Sequence, residues 1–323
     1  MDECESFMKR RVARFLCVLM VVFLSACNGP EVISTVRQRA DGSRKLSLNL
    51  TGSLQNPAFS PSGRYLLLTR FRGGYNVGPA DLIVADLTTD SAYVLVGDGS
   101  NNVNLPGSCW NARTHQIVFS SSRNSHDEIF EIADSARAGA ERLLTSRPSA
   151  AAYEPSYSPD GSAIVFESHP LDSANHGGIY RRNAETIGGY VALTDSVDDC
   201  RQPNWSPQGD LVVYQREMFG RWHLWTMNSD GGSKRQLTSY GNETDASFSP
   251  DGAWIFFSGD SGVQRTNIFR VPVSGGASIR VTNYEGYDGA PSVSNDGSLL
   301  AFESYSASPD RSPGTSIWLL RLR

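Results

Sequence analysis

The phrase "YEPSYSPDGSAIVFES", Tyr153–Ser168, returns along the chain in altered form. "NPAFSPSGRYLLLTR" begins at Asn56, "QPNWSPQGDLVVYQR" at Gln202, "DASFSPDGAWIFFSG" at Asp245 and "APSVSNDGSLLAFES" at Ala290, and a degraded copy, "GSCWNARTHQIVFSS", begins at Gly107. Each copy reads strand, turn, strand. Ser-Pro-Asp-Gly is a turn sequence, because proline presets φ at its second position and glycine suits the fourth. The residues after it, such as Ile164-Val165-Phe166, are β-branched or aromatic, as a strand requires. In the degraded copy Ala112 and Thr114 replace the proline and glycine of the turn.

The last apolar residues of the copies (Leu68, Phe119, Phe166, Tyr214, Phe257 and Phe302) are spaced by 51, 47, 48, 43 and 45 residues. Periods of about 40 to 50 residues made of short strands mark the blades of a β-propeller, each a four-stranded sheet. A second phrase between the copies, "LWTMNSDGGSKRQLTSYG" from Leu224 and "IFRVPVSGGASIRVTNYEG" from Ile268, supplies two more strands per unit. The expected fold is therefore all-β, a six-bladed β-propeller with strands A to D in each blade. The last copy stops after strand C, "SIWLLRLR", whereas "ADGSRKLSLNLTG" from Ala40 imitates the missing D-strand phrase. The segment near Lys45 to Leu50 should thus pair with the final strand and close the ring, which removes two exposed sheet edges.

At the N-terminus, Lys9-Arg10-Arg11 and Arg14 precede "FLCVLMVVFL", an apolar run too short to span a bilayer and suited to a signal peptide. Leu24-Ser25-Ala26-Cys27 resembles the bacterial lipobox, which implies cleavage before Cys27 and lipid attachment to its sulfur. The expected division is 1–26 as lipoprotein signal peptide, 27–38 as lipidated cysteine and tether, and 39–323 as propeller. Asn28 after the cysteine implies, by the enterobacterial rule, an outer-membrane lipoprotein facing the periplasm. Net charge is −5 for the whole chain, and removal of residues 1–26 leaves 25 basic against 31 acidic residues. That balance offers nothing to nucleic acid. Cys109 and Cys200 begin blades two and four, which do not adjoin, and read as free thiols.

The combination of Ser-Pro-Asp-Gly turns with "MNSDGG" and "RQLT" resembles the TolB-type propeller repeat, and the resemblance covers Arg39 to Arg323. It implies a protein-binding platform, which in TolB itself serves the Tol-Pal envelope complex. TolB carries an α/β domain ahead of its propeller, whereas here a short tether precedes the first strand. The implied partner is an envelope protein or a cell-wall-associated one, with the lipid anchor as the membrane contact.

Loop length nominates the binding face. In an antiparallel blade the A–B and C–D turns share one end of the ring, while the B–C and D–A loops share the other. A–B turns are nearly constant, but B–C loops range over "RFRGGYNVGPAD", "SHPLDSANHGG" and "SYSASPDRSPGTS". Function resides on variable loops over a rigid scaffold, which selects Arg72, Tyr75, Arg123, His169, His176, Arg221, Trp222, Tyr287 and Arg311. Arg, Tyr and Trp are also the types favoured at interface hot spots.

Carboxylates just before the A strands (Glu154, Asp199, Glu243, Asp245 and Asp288) should converge on the channel mouth, where they could hold a hard cation such as Ca2+. No other cofactor is indicated, and the five histidines lack the spacing of a zinc pair. Phe59, Trp110, Tyr157, Trp205 and Phe248 recur once per blade and read as inter-blade core rather than a ligand cage. The sequence points to binding rather than catalysis. Its alternatives are a metal-dependent lyase or hydrolase at the channel mouth, and a sensor of a small ligand or glycan.

Overall fold

The structure, a computed structural model, describes residues 38–322 except 105–108, 135–138, 174–175, 184–188, 196, 261–264 and 306–313. The expected signal peptide, Cys27, the tether up to residue 37 and Arg311 lie outside the described residues.

Six antiparallel sheets follow one another, each with its strands in the order A-B-C-D. Blade one contains Ser53–Phe59, Tyr65–Phe71, Ala80–Asp86 and Ser91–Val96. Blade two has Gln116–Ser121, Glu128–Ala133 and Arg142–Leu143, with its A strand in two pieces, Val103–Asn104 and Trp110–Asn111, both paired to strand B. Blade three is Ala150–Tyr157, Ala163–Pro170, Gly178–Asn183 and Val191–Ala192, and blade four is Cys200–Trp205, Leu211–Met218, Arg221–Asn228 and Arg235–Gln236. Blade five is Glu243–Phe248, Trp254–Gly259, Asn267–Pro272 and Ile279–Arg280. Blade six takes Tyr287–Val293, Leu299–Tyr305 and Ser316–Arg321 from the C-terminal end and Arg44–Lys45 from the N-terminal side.

That last pairing closes the ring as expected. Arg44 faces Leu319, Lys45 faces Trp318, and the Leu46 amide donates to the Ile317 carbonyl at 2.8 Å. The ladder begins one residue earlier than the sequence suggested and ends at Leu46. Beyond it, Leu48 and Leu50 pack between the last and first blades.

The repeated words are hydrogen-bonding devices. In each regular A–B turn the serine hydroxyl accepts the amide five residues on: Ser60 from Tyr65, Ser158 from Ala163, Ser206 from Leu211, Ser249 from Trp254 and Ser294 from Leu299, at 2.9–3.0 Å. The degraded turn substitutes Asn111, whose Oδ1 accepts from the Arg113 and Thr114 amides, and the left-handed position moves to His115 at φ 55°. A threonine two residues past the D strand works similarly, as Thr145, Thr194, Thr238 and Thr282 accept from Ile129, Ile179, Leu224 and Ile268 of strand C at 2.8–3.0 Å. Without the threonine hydroxyls the buried strand C amides would be left unsatisfied, at a cost of about 1–3 kcal/mol each.

B strands are continuous apolar runs because neighbours cover them on both sides and adjacent blades cover both faces; Leu66, Leu67 and Leu68 are all fully buried. The core is a series of clusters at blade seams. Tyr157, Trp205 and Phe248 are buried in those clusters, and Trp110 and Phe59 pack at their edges. The same aromatic positions also ring a cavity of about 320 Å³ on the A–B turn side. Cys109 and Cys200 are free and buried.

Candidate functional site

One backbone feature decides which side chains reach the channel. In five A strands the register slips by a bulge, and the residue at the slip is left-handed: Asn56, Glu154, Gln202, Asp245 and Ala290, with φ between 48° and 54°. Non-glycine residues rarely adopt such φ values, and where they persist the surrounding structure enforces them. Here the enforcing contacts come from neighbouring blades. The bulge amide of Asn56 donates to Glu303 Oε2 at 3.1 Å and that of Gln202 to Glu167 Oε2 at 2.7 Å. The amide of Asp245 donates to Gln202 Oε1 at 2.9 Å, and that of Ala290 to Ser258 Oγ at 3.1 Å.

The result is an acidic girdle in the channel near the B–C end. Gln202 Nε2 donates to Glu154 Oε1 at 3.2 Å and to Asp245 Oδ1 at 3.0 Å. A cavity of about 30 Å³ lies among Asn56, Glu154, Gln202 and Asp245, room for about one or two waters. Glu154 Oε2 is buried there without a hydrogen-bond partner. Burial, and after it the Glu167 carboxylate, holds the Glu154 carboxyl well above the ordinary glutamate range. Burial, and then Asp245, pushes Glu303 up to about 8.

Aromatic rings from two blades wall one side. Tyr75, on the B–C loop of blade one, reaches across to blade six, where it meets Tyr287 edge-on at 6.2 Å and Tyr305 at 6.3 Å. Tyr287 and Tyr305 stack at 4.9 Å. The Tyr287 and Tyr75 hydroxyls both donate to Glu303 Oε1, at 3.1 and 3.3 Å.

The structure separates the five carboxylates nominated from sequence. Glu154 and Asp245, at bulges, face the channel. Asp288 is fully buried and bound to Arg39 Nη1 at 2.8 Å. Asp199 holds Arg201 at 2.7 Å and accepts the Gly177 amide at 3.1 Å. Glu243 binds His223 Nδ1 at 2.8 Å, the Thr238 hydroxyl at 3.0 Å and the Tyr240 amide at 3.2 Å. These last three are committed to the scaffold, so the nominated set does not assemble a cation cage. Among the described residues no three His, Cys, Asp or Glu side chains are grouped as metal ligands would be.

The nominated loop residues divide in the same way. Tyr75 and Tyr287 come together at the channel. Arg72 is clamped with Arg70 on buried Asp81, its Nη2 2.8 Å from Oδ1. Arg123 is 3.5 Å from Glu141, with its guanidinium 5.0 Å from the Phe130 ring. His169 is buried, 3.0 Å from Glu167 and edge-on to Tyr153. Trp222 lies under Arg201 at 5.1 Å, while Arg221 and His176 are exposed. Sequence reasoning missed Glu167, Glu303 and Tyr305. The signal for the two glutamates was available: after the apolar triplet of strand B, other blades carry Thr69, Ser120, Gln215 or Ser258, and only these two carry a carboxylate.

The exposed apolar side chains are unevenly placed. Among the described residues, seven of the eleven large exposed ones lie at the B–C and D–A end, four lie on D strands, and none lies on the A–B or C–D turns. Phe219, 98% exposed, is at the tip of the blade-four hairpin, and Tyr240, 85% exposed, is on the loop that follows blade four.

The TolB β-propeller domain family matches residues 22–240 and 198–312. A Tol-Pal system protein TolB of Francisella tularensis subsp. mediasiatica is 30% identical over 194 residues, 60% of this chain and 42% of that protein. The chain thus spans well under half the length of the curated relatives it matches. Among solved structures, TolB from Acinetobacter baumannii superposes with a TM-score of 0.62 at 18% identity, covering 84% of this chain and 64% of that one. An oligogalacturonate lyase in complex with manganese superposes with a TM-score of 0.59 at 15% identity, covering 89% and 95%. At these identities the two structures share the fold alone.

Proposed function

Because the chain belongs to the TolB β-propeller family, we propose that it is a protein-binding module of the bacterial cell envelope, anchored by lipid at Cys27 and docking an envelope or cell-wall-associated partner on its B–C and D–A end. The observation that carries this reading is the placement of exposed apolar side chains. Among the described residues, seven of eleven lie at the end whose loops vary most in length, while the constant A–B turns at the other end carry none. Apolar groups concentrated on one face mark an interaction site. Tyr75, Tyr287, Arg221 and Trp222 belong to that end, as do the residues Phe219 and Tyr240.

A lyase or hydrolase needs a reactive centre, and the neighbouring lyase structure shares only the fold with this chain. Of the carboxylates at the channel, Glu167 and Glu303 accept bulge amides and so have a structural role.

The test is capture of cross-linked partners from envelope extracts by the full-length protein and by Phe219→Ser with Tyr240→Ser. A partner lost in the double variant, at unchanged melting temperature, supports the face; equal capture by both overturns it. The anchor is tested by metabolic labelling with an alkyne fatty acid, where Cys27→Ser should lose the label and a label kept by the variant refutes lipidation there.

A further inference from the structure

Charge is unevenly distributed around the rim of the ring. The C–D hairpin of blade one, Ala80–Val96, holds Asp81, Asp86 and Asp90 and no basic residue. That of blade five, Asn267–Arg280, holds Arg270 and Arg280 and no acidic one. Blades four and six follow blade five: Lys234 and Arg235 stand at the end of one hairpin, and Arg321, Arg44 and Lys45 lie on strands C and D of the other. The acids beside them cap turns, Asp230 accepting the Gly232 amide at 2.9 Å and Asp41 the Ser43 amide at 2.8 Å. A chain of net charge −5 thus carries a basic flank across three consecutive blades.

The charge of this flank is not spent on the fold. Among the described residues, Arg44, Arg270, Arg280 and Arg321 form no ion pair. Arg270 lies over the Trp254 ring at 4.4 Å, and Arg280 donates to Asn283 Oδ1 at 3.2 Å. All four arginines line a groove of about 790 Å³ between blades five and six, beside Ile279, which is 44% exposed. Gln38 and Leu322 line it too. Their sequence neighbours Arg37 and Arg323 are basic as well, and Glu31 is the one acid in 28–37.

A basic surface spread over three blades, rather than gathered in a pocket, complements an extended anionic surface. Arginine donates well to phosphate oxygens, and each Lys or Arg near an anionic bilayer biases the contact about fivefold. The chain also keeps this flank close to lipid. Ten residues separate Gln38 from Cys27, so an anchor at Cys27 is at most about 40 Å of chain from the groove. We propose that the C–D hairpins of blades four to six lie on anionic phospholipid headgroups, a membrane contact additional to the anchor. It takes only proximity from the anchor reading, and it leaves the B–C and D–A end open to a partner.

The test places a fluorophore at Ser278→Cys, on the blade-five hairpin, or at Thr89→Cys, on that of blade one; both positions are exposed, and Cys109 and Cys200 are buried. The full-length protein is reconstituted into vesicles of phosphatidylcholine, alone or with phosphatidylglycerol, and energy transfer to a headgroup-labelled lipid is read. Transfer from position 278 should rise with phosphatidylglycerol and fall with added salt. In Arg280→Gln with Arg321→Gln, checked for an unaltered melting profile, the contact should weaken more than tenfold, and position 89 should respond to none of these changes. Transfer at 278 that ignores lipid charge or survives the double substitution overturns the proposal, as does an equal response at both positions. A response at 278 to soluble polyglutamate but not to phosphatidylglycerol also overturns it, in favour of an acidic polypeptide. Flotation with the charged vesicles alone would retire the anchor and keep the flank, whereas flotation with both at an unchanged 278 signal would keep the anchor and retire the flank.

Discussion

Arg39 Nη1 lies 2.8 Å from Asp288 Oδ1, and the same guanidinium sits 3.5 Å from the centre of the Tyr284 ring and 3.7 Å from that of Trp318. The residue just ahead of the closing strand is therefore tied to strands A and C of the blade it completes.

Removing one member of a buried pair strands the other, so Arg39→Ala should cost about 3 kcal/mol in denaturant unfolding. Burial already raises the Asp288 carboxyl, and Arg39 is the first group opposing that rise. Without Arg39 the folded-state pKa moves higher still. The folded variant then binds more protons than the unfolded one, so its deficit should shrink as pH falls from 8 to 5. A deficit that is small, or that grows on acidification, would contradict the assignment.

Closure by Arg44–Leu46 predicts that deletion of residues 40–50 lowers the melting temperature by more than about 10 °C, since it removes several ladder bonds and the packing of Leu46, Leu48 and Leu50. An unchanged melting profile would show that the last blade does without this strand.

Glu303 sets a pH dependence of the opposite kind to an ordinary surface glutamate. Burial and Asp245 raise its folded-state pKa to about 8, against an unfolded value of about 4.3. Its contribution to stability is therefore fully present below the unfolded value and is lost as pH rises toward about 8. Melting temperatures taken between pH 5 and 9 should fall with rising pH in wild type and fall less in Glu303→Gln. Parallel curves for the two proteins would refute the shift.

Phe219 and Gly220 form a two-residue hairpin turn with φ of 56° and 79°. Both positions are left-handed, as in the turn that favours Asn-Gly, and Phe219 is also 98% exposed. Phe219→Asn should therefore stabilise the fold by about 1 kcal/mol while weakening partner binding. A variant that is both more stable and fully able to bind would remove Phe219 from the docking face.

The sequence alone determined the ring, because its causes are local and repeat. The turn serines, the apolar B strands and the threonines after the D strands each act within a few residues or one strand away, and with the B strand in all six blades, the serine in five and the threonine in four, the repetition is hard to misread. Closure was legible for the same reason, as "ADGSRKLSLNLTG" repeats a D-strand phrase in a place where no preceding blade needs it. The tertiary structure alone decided the site. Whether a carboxylate ahead of strand A faces the channel, like Asp245, or is spent on a partner, like Asp288 on Arg39, depends on a left-handed bulge and on residues up to 249 positions away. The pairing of Tyr75 with Glu303 joins the first blade to the last. Electrostatic coupling sums over whatever the fold brings near, without regard to chain distance, and a repeat that specifies each blade separately leaves that sum to the assembled ring.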